Sequence, residues 1–363
     1  MNTPMRMGSI PLTSTREISI NQDNFLDYAE GKGFGDLHFK VDPETGLRAI
    51  VAIHNTKLGP ALGGSRLKAY PTPFEALYDA MRLARAMSYK AALADLPLGG
   101  GKSVLMEPKT PIDRTSYFKS FGAFVHTLNG RYIAAVDIGT TCEDMDTMSE
   151  VTPYVSCLSR DNGEPSPYTA YGVRRGIEAA VAFKLGKKNL QGIHVAIQGA
   201  GKVGSFLAGE LHALGAKISV ADVNPKAVQT LVERYGVKPV ALDLIHRLPC
   251  DVFAPCALGA ILSERSLSEL QAPIVAGGAN NQLAHAEQGL QLYQRNILYA
   301  PDYVINAGGL IHCAHQYNPH LAGTVKEQIE RLYEVLLAIF ERSEKEKQPT
   351  NVIADRMAEE KIA

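Results

Sequence analysis

Lys102 follows three consecutive glycines, Gly99-Gly100-Gly101, and Lys90 stands at the other end of the nearly apolar run that leads to them. Glycines let a backbone or a substrate approach with no Cβ in the way. A lysine in an apolar setting beside a second cation loses proton affinity, which suits it to acid-base work near neutrality. Gly101-Lys102-Ser103 also resembles the close of a phosphate-binding loop, but that motif needs a glycine five positions before its last one, and Leu96 stands there. A lone Gly-Gly-Gly-Lys is equally a tight loop with a solvated lysine, so its meaning depends on what else the chain brings. Asp137 is the acidic counterpart. It ends the apolar run 132–136 and meets the turn Gly139-Thr140-Thr141, from which a carboxylate either projects into a cleft or caps the next helix.

The second half carries a nucleotide motif. Residues 194–198 read as a buried strand, Gly199-Ala200-Gly201-Lys202-Val203-Gly204 follows at once, and Val203, Phe206, Leu207 and Leu214 then keep helical spacing. A second strand, 217–221, ends in Asp222, about 20 residues after the glycines. In that setting Gly-x-Gly-x-x-Gly is a dinucleotide fingerprint: Gly199, Gly201 and Gly204 permit the tight turn and close packing, while Ala200, Lys202 and Val203 open a helix whose free N–H groups meet the pyrophosphate. Asp222 would accept from the adenosine ribose hydroxyls, favouring NAD, and Lys226 nearby leaves NADP open.

Short apolar strands at 251–254, 273–276 and 297–300 continue a parallel sheet, and each runs into a small-residue loop, 255–259, 277–282 and 301–309. Ligands bind at such carboxyl ends. Asn280, Asn281 and Asn306 therefore face the nicotinamide or the substrate, unless they serve only as turn formers. His312 and His315 flank Cys313 without an acidic partner, and Glu143, Asp144 and Asp146 in a helix's first turns complement its dipole. No metal site is expected.

These groups need a scaffold, and the composition allows one. At 363 residues, 45% hydrophobic and 21% charged, the chain can bury the cores of two domains. A net charge of −1 gives no electrostatic case for nucleic acid or an anionic membrane, leaving a small molecule as the default partner. Five scattered cysteines without a Cys-x-x-Cys pair point to free thiols in a reducing compartment. No apolar run reaches the ~20 residues that span a bilayer. The first 20 residues lack a charged and then apolar leader, and read as a loose extension. A cytoplasmic location is expected.

Residues 37–41 and 47–53 read as a hairpin around the turn 42–46, and 59–66 as a second glycine-rich loop. Thr72-Pro73-Phe74-Glu75 starts a helix with Leu77, Ala80, Ala84 and Met87 on one face, which delivers Lys90 just past its end. A further helix begins after Asp113 and stops at Asn129-Gly130. Between 157 and 171 the composition turns to Ser, Gly, Asn and Pro, marking a domain boundary. Helical patterning resumes over 173–183 and ends at Gly186. Val325, Ile329, Leu332, Val335, Leu336 and Ile339 mark one long amphipathic helix, and a short helical tail follows Pro349.

Residues 59–66, 87–102, 137–141, Thr169-Ala170-Tyr171-Gly172, 199–204, 279–283 and 299–309 together resemble the glutamate/leucine/phenylalanine/valine dehydrogenase family, most closely its leucine branch. The resemblance runs from Phe34 to Ile362. It implies an α/β protein with an N-terminal substrate and oligomerisation domain, 1–160, and a Rossmann-type doubly wound NAD-binding domain, 161–339, with a cleft between them. Helices at 340–363 would pack back on the first domain. It further implies that Lys102 activates water, that Lys90 and Asn281 hold the substrate carboxylate, and that Asp137 exchanges protons with the amine. Thr169, Asn280 and Asn306 would serve the nicotinamide end.

The implied reaction is reversible oxidative deamination of an L-amino acid by a homo-oligomer. Leu62, Gly63, Ala135, Leu310 and Cys313 match the family's substrate pocket. Glutamate-specific relatives carry a lysine where Leu62 stands, so glutamate should be a poor substrate. Leucine enzymes have valines where Leu310 and Cys313 stand, an acidic residue at Val136, and one more residue before the proline matching Pro108. One methylene alters discrimination by only ~1–3 kcal/mol, which keeps leucine, valine, isoleucine, phenylalanine and tryptophan open. Two other readings compete. A 2-hydroxy-acid dehydrogenase needs a histidine paired with a carboxylate in the cleft, and no histidine here has that context. A non-catalytic NAD sensor predicts loss of Lys102 or Asp137, and both are present.

Overall fold

The computed structural model describes residues 24–108, 111–161, 163–257 and 259–363; the N-terminal extension lies outside them. The first half runs α1 (Phe25–Gly31), β1 (Asp36–Asp42), β2 (Leu47–Asn55), β3 (Ala61–Lys68), α2 (Pro73–Leu93), β4 (Gly99–Met106), α3 (Arg114–His126), β5 (Tyr132–Val136) and α4 (Cys142–Ser149). Its strands form one mixed sheet in the order β1-β2-β4-β3-β5. The β1–β2 hairpin and the β2–β4 pair are antiparallel, while β3 pairs in parallel with both β4 and β5.

The second half runs α5 (Ser166–Leu185), β6 (His194–Gln198), α6 (Lys202–Ala213), β7 (Lys217–Ala221), α7 (Pro225–Tyr235), β8 (Lys238–Pro239), β9 (Val252–Pro255), α8 (Glu264–Glu269), β10 (Ile274–Val275), α9 (Glu287–Gln294) and β11 (Leu298–Tyr299). It continues with α10 (Asp302–Ile305), α11 (Gly308–Tyr317), α12 (Val325–Glu330), α13 (Leu332–Glu346) and α14 (Thr350–Ile362). Its six strands are all parallel, in the order β11-β10-β9-β6-β7-β8. Chain direction across that sheet reverses between β6 and β9, the doubly wound arrangement whose switch point binds dinucleotides.

Two stretches that read as glycine-rich loops are strands. Residues 61–68 form β3, and Gly99-Gly100-Gly101-Lys102 opens β4, which is buried throughout. Glycine disfavours a strand interior in general, and it is used here because neighbouring backbone stands too close for a side chain, α2 over Gly100, β2 beside Gly99 and β4 beside Gly63. A Cβ on Gly100 would stand 1.9 Å from Ser88 N of α2, one on Gly99 1.9 Å from Asn55 O, and one on Gly63 1.8 Å from Gly101 O. Gly100→Ala should therefore cost about 3 kcal/mol or more, the upper end of overpacking penalties, in urea unfolding. Gly201→Ala, whose Cβ meets open space, should stay within about 0.5 kcal/mol of wild type.

Lys90 lies inside the last turn of α2 rather than past it, because Ala91, Ala92 and Leu93 prolong the helix until Asp95 takes a φ of 52°. The helix start is as its sequence dictates, with Glu75 N donating to Thr72 Oγ1 at 3.1 Å. Tyr89, Ala92 and Leu93, at the C-terminal end of α2, join the core that packs β6, α5 and α13. Lys90 is thereby fixed at the seam between the two sheets.

The expected long helix over 325–339 is divided at Arg331 into α12 and α13, with the apolar stripe continuing through Ile329, Leu332, Leu336 and Ile339. Helix α14 packs on α2, where Tyr89 Oη donates to Glu359 Oε1 at 2.5 Å and Lys361 pairs with Asp95. Among the described residues no helix is long and apolar enough to cross a membrane.

Candidate active site

Strand alternation builds the site. In the parallel register of β3 with its neighbours, Ser65 pairs with Ser103 of β4 and with Val136 of β5. Leu62, Gly64 and Arg66 of β3, Gly100 and Lys102 of β4, and Ala135 of β5 therefore share one face, and Asp137 emerges just beyond the end of β5. The Asp137 turn is held by Thr140, whose Oγ1 accepts from Asp137 N at 2.9 Å and donates to Ser65 O at 2.9 Å. Capping of α4 falls to Thr141, in a reciprocal box with Asp144, so Asp137 is left for the cleft.

Lys102 Nζ lies 2.7 Å from Asp137 Oδ2, with the two side chains 7% and 15% exposed. The space they meet in is kept by Gly64: a Cβ there would come within 2.8 Å of Asp137 Cβ and 3.0 Å of Lys102 Nζ. Arg66 Nε donates to the same Asp137 oxygen at 2.9 Å. Burial works to raise the Asp137 carboxyl, but the Lys102 and Arg66 cations outweigh it and hold its pKa down at about 2. Burial pushes the Lys102 ammonium below the ordinary lysine value; Asp137 resists, and Arg66 adds a like charge. The like charge expected from Lys90 is thus supplied mainly by Arg66. Lys90 is lowered to about 8, by burial first, with Asp302 opposing and Lys102 contributing.

These groups open on one cavity of about 710 Å³ lying between the two sheets. At one end Leu62, Ala135, Leu310 and Cys313 belong to a single buried apolar cluster. The cavity wall also includes Thr169, Lys202, Val203, Asn280, Asn281 and Asn306. Asn306 Nδ2 donates to Asn280 Oδ1 at 2.7 Å, and Asn281 holds a φ of 52° with its carbonyl accepting from Ala260 N at 2.6 Å. Thr169 Oγ1 donates back to Pro165 O at 3.1 Å. Gly63 is a correction: it alternates to the far side of β3, where its carbonyl accepts from Tyr132 Oη at 2.7 Å, and Gly64 takes its place on the cavity wall.

The glycine turn after β6 lies beside this cavity. Gly199, Ala200, Gly201, Gly204 and Asp222 do not line it, but Lys202 and Val203, the first residues of α6, do. Gly199 has a φ of 110°, and a Cβ on Gly204 would sit 1.9 Å from Gly199 O, so helix and turn pack as the motif requires. Asp222 Oδ2 accepts from Ala200 N at 2.6 Å and Oδ1 from Asn224 N at 2.7 Å. It braces the turn, and each oxygen retains a lone pair for a ribose hydroxyl.

Three observations fit a dinucleotide here. The N-terminus of α6 has no side-chain cap, the space above Gly201 is open, and Asn306 Oδ1 is buried with no hydrogen-bond partner among the described residues. Among the described residues no cluster of three or more His, Cys, Asp or Glu is placed to hold a metal ion.

Sequence reasoning passed over Arg66, Asp302 and Gly64. Arg66 lay within a stretch already read as a glycine loop, and its partners Asp79 and Asp137 are 13 and 71 residues away. Asp302 opens α10, which with the start of α11 occupies the stretch expected as the loop 301–309; it lines the cavity, accepts from Gln282 N at 2.8 Å, and is the acidic group facing Lys90. Gly64 differed from Gly63 only in which face its missing side chain would occupy.

Known proteins are similar to this chain in sequence and architecture. Residues 35–154 match the model of the Glu/Leu/Phe/Val dehydrogenase dimerisation domain, and residues 224–360 match that of the Glutamate/Leucine/Phenylalanine/Valine dehydrogenases. The leucine dehydrogenase of Geobacillus stearothermophilus is 45% identical over 338 residues, 92% of each chain. The phenylalanine dehydrogenase of Caldalkalibacillus thermarum is 41% identical over 333 residues, 89% of this chain and 90% of that one. The crystal structure of L-tryptophan dehydrogenase from Nostoc punctiforme superposes with a TM-score of 0.81 at 39% identity, covering 93% of this chain and 98% of that one. With both family models matched in order and relatives aligned across nearly its whole length, this chain belongs to the glutamate/leucine/phenylalanine/valine dehydrogenase family.

Proposed function

We propose that the protein catalyses the reversible NAD-dependent oxidative deamination of an apolar L-amino acid to its 2-oxo acid and ammonia. The observation that carries this reading is the Lys102–Asp137 pair, 2.7 Å apart, in a cavity that the apolar group Leu62, Ala135, Leu310 and Cys313 also lines. In this reading residues 1–160 bring the substrate side and 161–339 the dinucleotide side, with 340–363 packing back on the first.

When bound, NAD supplies the hydride acceptor for the substrate Cα; the turn from Gly199 to Gly204 and Asp222 would hold its adenosine and pyrophosphate, and Thr169, Asn280 and Asn306 its nicotinamide end. Lys90 and Asn281 take the substrate carboxylate, whose charge restores the proton affinity that burial removes from Lys90. Asp137 receives a proton from the substrate amine and returns it as ammonia leaves. Lys102, neutral, accepts a proton from the water that adds to the iminium carbon; as the carbinolamine C–N bond breaks, Asp137, having protonated the leaving nitrogen, takes the hydroxyl proton, and the two protons then held by Lys102 and Asp137 pass to ammonia and solvent.

Self-association is part of the same reading. Among the described residues strand β1 is an edge of the first sheet, with Phe39 57% and Val41 66% exposed, and the first matched model is named for dimerisation. An edge of this kind is usually covered by another chain or blunted by charge.

A panel of L-amino acids compared by kcat/KM tests the assignment. Leucine, isoleucine, valine, phenylalanine or tryptophan should rank first, and aspartate, glutamate and lysine last. A charged amino acid at the head of the ranking would contradict the assigned pocket.

A further inference from the structure

We propose that Arg66 is a positioning residue for this reaction, acting through Oδ2 of Asp137; the inference rests on the reading of Lys102 and Asp137 as the proton-transfer pair. The Arg66 side chain is 9% exposed and spans two elements. Its Nε donates to Asp137 Oδ2 at 2.9 Å and its Nη1 to Asp79 Oδ2 of α2 at 3.0 Å. Asp79 is itself fixed, accepting from Tyr70 Oη at 2.7 Å and from Arg82 Nη2 at 3.1 Å. Arg66 is thus clamped from behind and reaches the one carboxylate oxygen that Lys102 Nζ also meets.

This geometry resolves a conflict within the site. Lys102 must become neutral, yet a neutral Lys102 would leave the buried Asp137 carboxylate without a charged partner, an arrangement costly enough to keep the proton on the lysine. Arg66 stays protonated at every working pH. It therefore keeps Asp137 paired and aimed whichever state Lys102 is in, and ionised until the substrate amine delivers its proton, and its own charge disfavours the Lys102 ammonium. The other charged or titratable groups facing the pair are Lys90 and Asp79 on α2, Tyr70 ahead of it and Tyr132 on β5.

The test is the pH dependence of kcat for deamination at saturating amino acid and NAD, compared among wild type, Arg66→Gln, Arg66→Lys and Asp79→Asn. The acid limb reports Lys102 losing its proton in the bound complex. Arg66→Gln should move that limb to higher pH by about one unit or more, the effect of removing one close like charge. Arg66→Lys should return it most of the way. Asp79→Asn should move it to lower pH, because an anion that favours the Lys102 ammonium is gone.

A purely structural Arg66 would lower activity or stability in Arg66→Gln while leaving the acid limb where wild type has it, and that result would overturn the proposal. Should Arg66→Gln not fold, an unshifted limb in Arg66→Met overturns it equally. Failure of the underlying reading looks different: wild type forms no NADH from amino acids, or Lys102→Ala keeps wild-type activity.

Discussion

Lys102→Ala is expected to lower kcat for oxidative deamination by about 10³-fold, within the range lost when a positioned acid-base group is removed. The fold should survive, since the Asp137 carboxylate keeps its 2.9 Å hydrogen bond from Arg66 when the lysine is gone. NAD affinity should be unchanged as well, because the turn from Gly199 to Gly204 lies on the other sheet and is braced by Asp222, not by Lys102. Titration calorimetry with NAD separates a lost base from a lost fold. Residual activity within tenfold of wild type would remove Lys102 from the chemistry.

L-Glutamate is expected to trail the best apolar substrate by about 10³-fold in kcat/KM, from a penalty of about 4 kcal/mol for a carboxylate desolvated without a partner. The pocket end formed by Leu62, Ala135, Leu310 and Cys313 offers it no cation. The lysines and arginine that do line the cavity are already engaged: Lys102 and Arg66 on Asp137, Lys202 on Glu164, and Lys90 beside Asp302. Competition assays with both amino acids present read the discrimination directly. A ratio near unity would mean that a cation reaches the substrate's far end, and the assignment of Leu62 to that end would be wrong.

Much of this site was visible along the chain, and the pattern of misses has a physical cause. Strands β5, β6 and β7 match the sequence reading to the residue, because short buried strands are apolar runs bounded by glycine or a charged residue. The nucleotide turn was legible for the same local reason. Strands β3 and β4 were not, since their glycines answer to groups distant in the chain, Gly101 at Gly63, Asp137 at Gly64, Asn55 at Gly99 and Ser88 of α2 at Gly100, contacts that no window of sequence contains. Lys102 and Asp137 stood out as chemistry, whereas Arg66 did not, because what makes it matter is a carboxylate 71 residues further on. The division at Arg331 leaves no mark in the apolar pattern, since Ile329 and Leu332 keep the spacing of one helix.

The central claim is a reaction class, and its stoichiometry is the most direct measurement of it. NADH, 2-oxo acid and ammonia should form from L-leucine and NAD in equal amounts, and the reverse mixture should consume ammonia as NADH is oxidised. NADH formed without ammonia, or no NADH from any apolar L-amino acid, would contradict the account.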